Sequence, residues 1–241
     1  MTTEYNTPKI VTDNLVLCLD AGNTKSYPGT GETWTDIMGG DDATLENGPT
    51  FNSGNGGSIV LDGSNDYVLN ANSGVLPDAM VLFTFSIWMY FDANPSGSFG
   101  SSTKGSVIFS GNAVGKSEFI IKVNGTSGPP YSISFGRYGG STAGSCEVTN
   151  LDMPIQQWHN VVLVRNGTSS QVMYLNGTSI GTGNVSNSFT SASMYIGGAP
   201  SQALYSGYFN GKIGNILKYN RALTAAEVKQ NFDAQKERFG L

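Results

Sequence analysis

Short segments in which apolar and polar residues alternate recur along most of the chain, separated by Gly, Asn, Ser or Pro. Alternation with a period of two is typical of β-strands that bury one face, and the separating residues favour turns. The predicted strands are Leu15–Asp20, Ser58–Leu61, Tyr67–Asn70, Phe83–Phe91, Val107–Phe109, Phe119–Val123, Tyr131–Phe135, Glu147–Leu151, Asn160–Arg165, Gln171–Leu175, Met194–Ile196 and Lys212–Tyr219. So many short strands at hairpin spacing predict an all-β fold, an antiparallel two-sheet sandwich of the jelly-roll type.

Two Asn-Gly dipeptides predict tight turns, at Asn166-Gly167 and at Asn176-Gly177. Both residues of such a dipeptide can adopt the positive φ that a type I′ hairpin turn requires. We therefore expect Val161–Arg165 and Gln171–Leu175 to pair as a hairpin, after which Thr178–Gly181 turns back from the second strand.

One helix is predicted, near the end of the chain. Thr224 and Glu227 have the spacing of a capping box, in which each side chain bonds to the backbone N–H of the other residue. Val228, Phe232 and Gln235 follow at helical spacing and form one narrow stripe. We expect this short C-terminal helix to pack its stripe against a larger surface of an otherwise β protein.

Two segments lack the alternation and are predicted as long loops, Gly22–Gly57 and Asp92–Gly105. The first is rich in Gly, Asn, Asp and Thr. Its apolar anchors are Trp34, Ile37, Leu45 and Phe51. Loops of this length are often functional surface, so both segments are of interest for binding.

Composition bounds the class of protein. Only 13% of the residues are charged, against roughly 25% in average proteins, but 39% are apolar, which favours a packed core over disorder. A net charge of −5 gives no reason to bind nucleic acid or an anionic membrane surface, and the longest apolar runs are too short for membrane insertion. The predicted organisation is an N-terminal arm, Met1–Lys9, and a single domain over 10–241. Cys18 and Cys146 are expected to be free buried thiols, with a single disulfide as the alternative.

The order of the segments resembles the laminin G-like branch of the concanavalin A-like lectin/glucanase superfamily. The matching pieces are Ser58–Val68, Phe85–Phe91, Trp158–Val164, Met173–Gly181, Met194–Ala199 and Phe209–Phe232. Each piece is weak alone, but together they follow the order of the family. The resemblance implies two antiparallel sheets, one of them concave, in a jelly-roll sandwich.

The ends of the chain narrow the resemblance. Ile10–Asn23, followed by Ser26–Trp34, is similar to the opening of such proteins in tailed bacteriophages, which also tend to end in a helix and Arg-Phe-Gly-Leu. The resemblance implies a non-enzymatic protein of the virion surface, first a capsid decoration protein and alternatively an adhesin or tail-fibre component that recognises host-surface glycans. Its partners would be the major capsid protein or tail components, with Met1–Lys9 as an extended contact to a neighbouring subunit and homo-oligomers as a further expectation. The opening residues lack a secretory signal, so we expect synthesis in the host cytoplasm.

Catalytic residues are not apparent. Glucanases of the superfamily carry a Glu-x-Asp-x-x-Glu run on one strand, and this chain has none. His159 is the only histidine, so any Ser-His-Asp triad would have to include it. It follows Trp158 at the start of a predicted strand, where a structural role at the sandwich edge is expected. The prediction is that the protein is not an enzyme.

Calcium is the one cofactor that the sequence suggests, and none is required. Asp62 and Asp66 flank one tight turn, and Asp20 and Asn23 form a second oxygen-rich turn. The alternative is that these side chains simply hold their turns by bonding to the local backbone. The superfamily resemblance implies an acidic calcium ligand in the last long strand, where this chain has Gly214-Asn215.

Sugar binding needs exposed aromatic rings beside planar polar groups. The candidate contacts, at loops or strand ends, are Tyr131, Arg137, Tyr138, Tyr205 and Tyr208. Trp88 is predicted to lie on one face of its strand, with Phe83, Phe85, Ile87, Met89 and Phe91 on the other. From the sequence, core packing and ligand stacking both stay open for these aromatic residues.

Overall fold

The computed structural model describes residues 8–71, 82–94, 97–99, 103–113, 116–124, 131–136, 145–167, 170–184, 193–198 and 208–241. Within 97–124, 134–136 and 145–147 it describes the backbone alone. The strands are β1 (Leu15–Asp20), β2 (Thr33–Trp34), β3 (Ala43–Glu46), β4 (Thr50–Asn52), β5 (Ser58–Asp62), β6 (Tyr67–Asn70), β7 (Leu82–Phe91), β8 (Gly97–Phe99), β9 (Thr103–Ala113), β10 (Lys116–Asn124), β11 (Tyr131–Gly136), β12 (Ser145–Leu151), β13 (Trp158–Asn166), β14 (Gln171–Leu175), β15 (Thr178–Gly183), β16 (Ser193–Ile196) and β17 (Asn210–Tyr219). The helix α1 (Ala225–Gln235) follows and runs into a 3-10 turn, Lys236–Phe239. In the described ranges no helix is long and apolar enough to cross a membrane.

The strands form two antiparallel sheets, as predicted. The first sheet has the order β15-β14-β13-β7-β17-β5-β4, with β1 also paired to β17. The second sheet has the order β12-β11-β10-β9-β16-β6-β3-β2, with β8 paired to β9. The predicted hairpin of β13 with β14 is present, and β15 returns along β14.

One apolar core lies between the sheets. Among its buried members are Phe85, Ile87, Leu163 and Ile213 from the first sheet and Trp34, Val68 and Ile196 from the second. Within β7 the predicted alternation is confirmed, because Trp88 belongs to a separate cluster with Phe232 and Phe239. The central strands of the first sheet are therefore packed on both faces, by the core on one side and, around Trp88, by the C-terminal segment on the other.

The second sheet is covered on its inner face only, along the strands whose burial is described. In β6 and in β16, half-buried and buried residues alternate one by one. This is the pattern of a sheet with one face in the core and one face accessible.

The helix begins where the capping box predicted. Glu227 donates its backbone N–H to Thr224 Oγ1 at 3.3 Å, and Thr224 N–H donates to Glu227 Oε2 at 2.8 Å. Arg221 adds a two-pronged ion pair to the Glu227 carboxylate, at 2.9 and 2.6 Å. Val228 and Phe232 are buried as expected, with Asn231 between them.

Asn231 holds the start of the domain against the helix. Its Oδ1 accepts the backbone N–H of Val11 at 2.8 Å, and its Nδ2 donates to the hydroxyl of Tyr219 at 3.0 Å. That hydroxyl donates to the carbonyl of Val11 at 2.8 Å, which closes the set. Gln230 also donates to the carbonyl of Lys9 at 2.7 Å. Residues 9–11 are thus fastened to α1.

Three local predictions need correction. Gly22–Gly57 is not one long loop, because it contains β2, β3 and β4, strands too short to show a period in the sequence. Asp92–Gly105 likewise contains β8 and the start of β9. Ile37, predicted as an anchor, is 41% exposed.

The turn at Asn166 also differs from the prediction. Asn176 and Gly177 both have positive φ, as a type I′ turn requires, but at the other dipeptide only Gly167 does. Asn166 still belongs to β13, and its N–H donates to the carbonyl of Ser170 at 2.9 Å. The connection from β13 to β14 is therefore wider than a two-residue turn.

Candidate functional site

Three tyrosines lie together at the accessible face of the second sheet. Tyr67 is the first residue of β6, Tyr195 lies in β16, and Tyr208 precedes β17. The rings of Tyr67 and Tyr195 are tilted by 43° with their centroids 5.9 Å apart. In the neighbouring strand β3, Glu46 is the register partner of Tyr67. We call these residues, Glu46, Tyr67, Tyr195 and Tyr208, the tyrosine face.

Gly198 places Tyr208 in this group. A Cβ atom built at Gly198 would lie 2.7 Å from two ring carbons of Tyr208 and 3.2 Å from the Cβ of Tyr67. The ring of Tyr208 therefore lies directly over a backbone position that has no side chain, beside Tyr67. Of the two predicted sugar contacts that lie within the described residues, Tyr131 and Tyr208, the structure places Tyr208 on this face.

Two of these tyrosines, Tyr67 and Tyr208, have raised pKa values, which keeps their phenols neutral. Burial is the main cause that raises the pKa of Tyr67, and the charges of Glu46, Tyr195 and Tyr208 act in the same direction. Burial also raises the pKa of Tyr208. Neutral hydroxyls both donate and accept hydrogen bonds, and Glu46 adds an acceptor. The face thus offers apolar rings, which are half-buried, together with polar groups at their edges.

The predicted oxygen-rich turn at Asp62 adjoins the tyrosine face, and its carboxylates accept hydrogen bonds from backbone N–H groups of the same turn. Asp62 Oδ1 accepts the N–H of Ser64 at 2.7 Å and of Asn65 at 3.3 Å, and these bonds hold the pKa of Asp62 below its usual value. Asp66 is buried, which raises its pKa, and its Oδ2 accepts the N–H of Asp62 at 3.1 Å. This geometry favours the turn-holding alternative over a calcium site.

The second predicted turn is occupied in a different way. Both carboxylate oxygens of Asp20 accept hydrogen bonds from Arg238 Nη1, at 2.7 and 3.0 Å. Asn23 Oδ1 accepts a hydrogen bond from the backbone N–H of Lys25 at 3.0 Å. Asn215 is buried and donates to Gln235 at 2.6 Å. Across the described residues, no three His, Cys, Asp or Glu side chains are placed to hold one metal ion. The residues present do not fit a shared calcium site.

Tyr131 was predicted as a sugar contact, and that prediction is wrong. Its side chain is 2% exposed and belongs to the core, where its hydroxyl donates to Asn94 Oδ1 at 2.5 Å. Its ring is therefore not available for stacking. The other candidates, Arg137, Tyr138 and Tyr205, lie outside the described residues.

His159 is buried at the start of β13. Its Nε2 lies 2.9 Å from the carbonyl oxygen of Pro154, and burial is the main cause that lowers the pKa of the ring. A neutral ring bonded to the backbone fits the structural role that was expected. Cys18 is likewise a free, buried thiol whose pKa burial raises to about 12.

Tyr67, Tyr195 and Glu46 were missed by the reasoning from sequence. The available signal was their phase in the alternation, since Tyr67 and Tyr195 fall on the positions of β6 and β16 that do not enter the core. What the sequence could not show is that the C-terminal segment covers the outer face of the first sheet around Trp88, whereas the outward residues of β6 and β16 stay half-buried.

Comparisons with known proteins agree with this fold. Residues 62–229 match the laminin G-like family model of the concanavalin A-like lectin/glucanases superfamily. No curated protein sequence matches the chain.

Several solved structures are similar at low sequence identity. Domain 4 of AbnA, a GH43 extracellular arabinanase from Geobacillus stearothermophilus, solved in complex with arabinotriose, has a TM-score of 0.66 at 17% identity, covering 92% of this chain and 98% of that one. Trypanosoma rangeli sialidase has a TM-score of 0.69 at 17% identity, covering 95% of this chain and 34% of the sialidase. The binding domain of botulinum neurotoxin DC, in complex with SialylT, has a TM-score of 0.66 at 15% identity, covering 92% and 52%. Because the family model matches more than half of this chain, residues 62–229, the chain belongs to the laminin G-like family of the concanavalin A-like lectin/glucanases superfamily.

Proposed function

We propose that this protein is a non-enzymatic glycan-binding domain and that the tyrosine face binds the glycan. The observation that carries the proposal is the grouping of three half-buried tyrosines with Glu46 on the accessible face of the second sheet. Aromatic rings receive the apolar face of a sugar ring, while hydroxyl and carboxylate groups at the ring edges bond its hydroxyls.

The fold relatives support this class of ligand. The arabinanase domain was solved with arabinotriose and the neurotoxin binding domain with SialylT. Both share only 15–17% sequence identity with this chain, so the identity of the sugar does not transfer. The shared architecture supports saccharide binding by this β-sandwich.

A binding role is favoured over hydrolysis by the carboxylate count of the face. Glycosidases generally use two carboxyl groups on opposite sides of the scissile bond. The tyrosine face as defined contains one, Glu46, and the nearby Asp62 and Asp66 are engaged with their own turn. We therefore propose recognition without turnover and without a required cofactor.

A glycan array tests the proposal. The wild-type protein is expected to retain a subset of oligosaccharides, and the Tyr195→Ala protein to lose that retention while keeping its circular dichroism spectrum. Unchanged retention by Tyr195→Ala would contradict the assignment of the site, and an array with no retained glycan would contradict the function itself.

A second candidate is decoration of a tailed-phage virion, in which glycan binding would serve attachment. The observation that favours it is the fastening of residues 9–11 to α1, which fixes the C-terminal end of the predicted Met1–Lys9 arm. Residues 1–7 of that arm lie outside the described residues. The partners would be capsid or tail proteins and the location the virion surface. Mass spectrometry of purified particles tests this candidate, and absence of the protein from them would rule it out.

A further inference from the structure

A cleft of about 440 Å³ opens on the outer side of the first sheet, where β7 ends and β13 begins. Its lining comprises three aromatic residues, three carboxamide residues and the last two residues of the sequence: Tyr90, Trp158, Phe239, Asn55, Gln156, Gln157, Gly240 and Leu241. We call it the amide cleft. Its volume falls in the range of roughly 300–1,000 Å³ that is usual for small-molecule sites.

The aromatic residues form a fixed floor. The rings of Tyr90 and Trp158 are tilted with centroids 5.5 Å apart, and those of Trp158 and Phe239 lie 4.7 Å apart. Lys212 Nζ stands 4.0 Å from the centre of the Tyr90 ring and is held there by an ion pair with Asp92. The floor is therefore packed from several sides. Trp158 is 5% exposed and Phe239 2% exposed, so the half-buried ring of Tyr90 is the part of the floor that a ligand contacts most.

The carboxamides of Gln156 and Gln157 are exposed and free to bond a ligand. Neither side chain has a hydrogen-bond partner in the described part of the chain, and Asn55 makes one long bond, 3.4 Å, to the carbonyl of Arg238. Each carboxamide can donate and accept at the same time. This matches neighbouring hydroxyl groups, which also do both.

One of these residues has an unusual backbone. Gln156 has φ 61°, in the left-handed region that residues other than Gly, Asn and Asp seldom adopt. The turn at Gln156 is held by its N–H, which donates to the carbonyl of Phe91 at 2.8 Å. Such conformations often occur at binding sites, where they fix the direction of a side chain.

We propose that the amide cleft binds an uncharged sugar residue of an oligosaccharide, at a site separate from the tyrosine face. No lining residue has a charged side chain, and the cations nearby, Lys212 and Arg238, are paired with Asp92 and Asp20. A sialic acid or a phosphorylated sugar would find no free counter-charge. Tyr90 and Trp158 lie on the outer face of the first sheet, whereas the tyrosine face belongs to the second, so one domain presents two saccharide sites on opposite sides.

Trp158 supplies the signal for a test. Of the three tryptophans, Trp158 is the one that lines the cleft, whereas Trp34 lies in the core between the sheets and Trp88 lies beneath Phe239. A ligand in the cleft is therefore expected to change the emission of Trp158 most. The probes are arabinotriose and cellotriose, with sialyllactose as the charged comparison, titrated to millimolar concentration and followed by fluorescence and calorimetry. The variants are Gln157→Ala in the cleft, Gln230→Ala as an exposed glutamine on α1, and Tyr195→Ala on the other face.

We expect at least one neutral trisaccharide to shift the emission, and Gln157→Ala to weaken its binding about tenfold, a loss of about 1.4 kcal/mol. Gln230→Ala and Tyr195→Ala should bind in the cleft within twofold of wild type. The proposal is overturned if neither neutral trisaccharide shifts the emission, if Gln157→Ala binds as wild type, or if sialyllactose binds more tightly than both. If Tyr195→Ala loses binding of the trisaccharide while Gln157→Ala binds as wild type, the tyrosine face is supported as the binding site and the amide cleft is rejected.

Discussion

Phe239 fills the space that Gly214 leaves open in β17. A Cβ atom at Gly214 would lie 2.5 Å from Cε1 of the Phe239 ring, closer than real Cβ contacts come. The same ring stacks on Trp88 at 4.2 Å with an angle of 16° between the planes. A glycine in the last strand thus allows the C-terminal segment to cover the outer face of the first sheet around Trp88.

Gly214→Ala should therefore destabilise the protein by about 1–3 kcal/mol, because the ring of Phe239 is packed against Trp88 and has little room to move. Urea unfolding measures the change. In a Phe239→Leu background the cost of the same substitution should fall by at least about 0.5 kcal/mol, since the two residues are in direct contact. Equal costs in the two backgrounds would show that Gly214 has another role.

The ion pair between Arg221 and Glu227 should make the free energy of unfolding depend on pH in the acid range. The Arg221 side chain, with help from Thr224, lowers the pKa of Glu227 from its usual 4.5 to about 2. A carboxyl group whose pKa is lower in the folded state than in the unfolded state stabilises the protein at pH values above its unfolded-state pKa. That stabilisation is lost as the pH falls from about 4.5 towards 2. Glu227→Gln should cost about 1 kcal/mol at pH 7, and the difference from wild type should shrink over this window.

Unfolding at a series of pH values checks the Glu227 prediction. Glu237→Gln is the matched control, because Glu237 lies in the same C-terminal segment without an ion pair to any described residue, and it should stay within about 0.5 kcal/mol of wild type at pH 7. A Glu227→Gln difference that is constant from pH 7 to pH 2 would contradict the assigned pairing.

Cys18 should be unreactive in the folded protein. Its thiol is buried and its pKa is raised to about 12, first by burial and then by Asp20 and Asp36, so almost no thiolate forms at pH 8. In a Cys146→Ser background, labelling with a thiol reagent is expected to follow the rate of unfolding. Complete labelling within seconds under native conditions would contradict the burial of this side chain.

Tyr131→Phe tests whether that residue is structural. The substitution removes the hydroxyl that donates to Asn94 but keeps the buried ring, so the free energy of unfolding should fall by about 0.5–1.5 kcal/mol. Glycan binding should not change, because the ring is not accessible. A loss of binding without a loss of stability would restore Tyr131 as a sugar contact.

The sequence predicted the elements that rest on local rules. The capping box placed the start of α1, the alternation placed Trp88 on the face away from the core, and Asn176-Gly177 forms the expected turn. Strands of two to four residues, such as β2 and β3, are too short to show a period and were missed.

The candidate site was harder to predict because it depends on which surface is covered. Tyr131 and Tyr208 are both tyrosines near strand ends, yet one is in the core and the other lies over Gly198. The difference arises from contacts between residues distant in the chain, which no local pattern records. Asp20 shows the same effect, because its partner Arg238 comes from the far end of the sequence.

The glycan affinity of Tyr195 variants tests the central claim most directly. Calorimetry with a glycan retained on the array compares wild type with Tyr195→Phe and Tyr195→Ala, using Gln230→Ala on α1, which belongs to neither proposed site, as a control. We predict that Tyr195→Ala binds at least about tenfold more weakly while Tyr195→Phe, which keeps the ring, stays within about threefold. A folded Tyr195→Ala protein that binds the glycan as tightly as wild type would contradict the account.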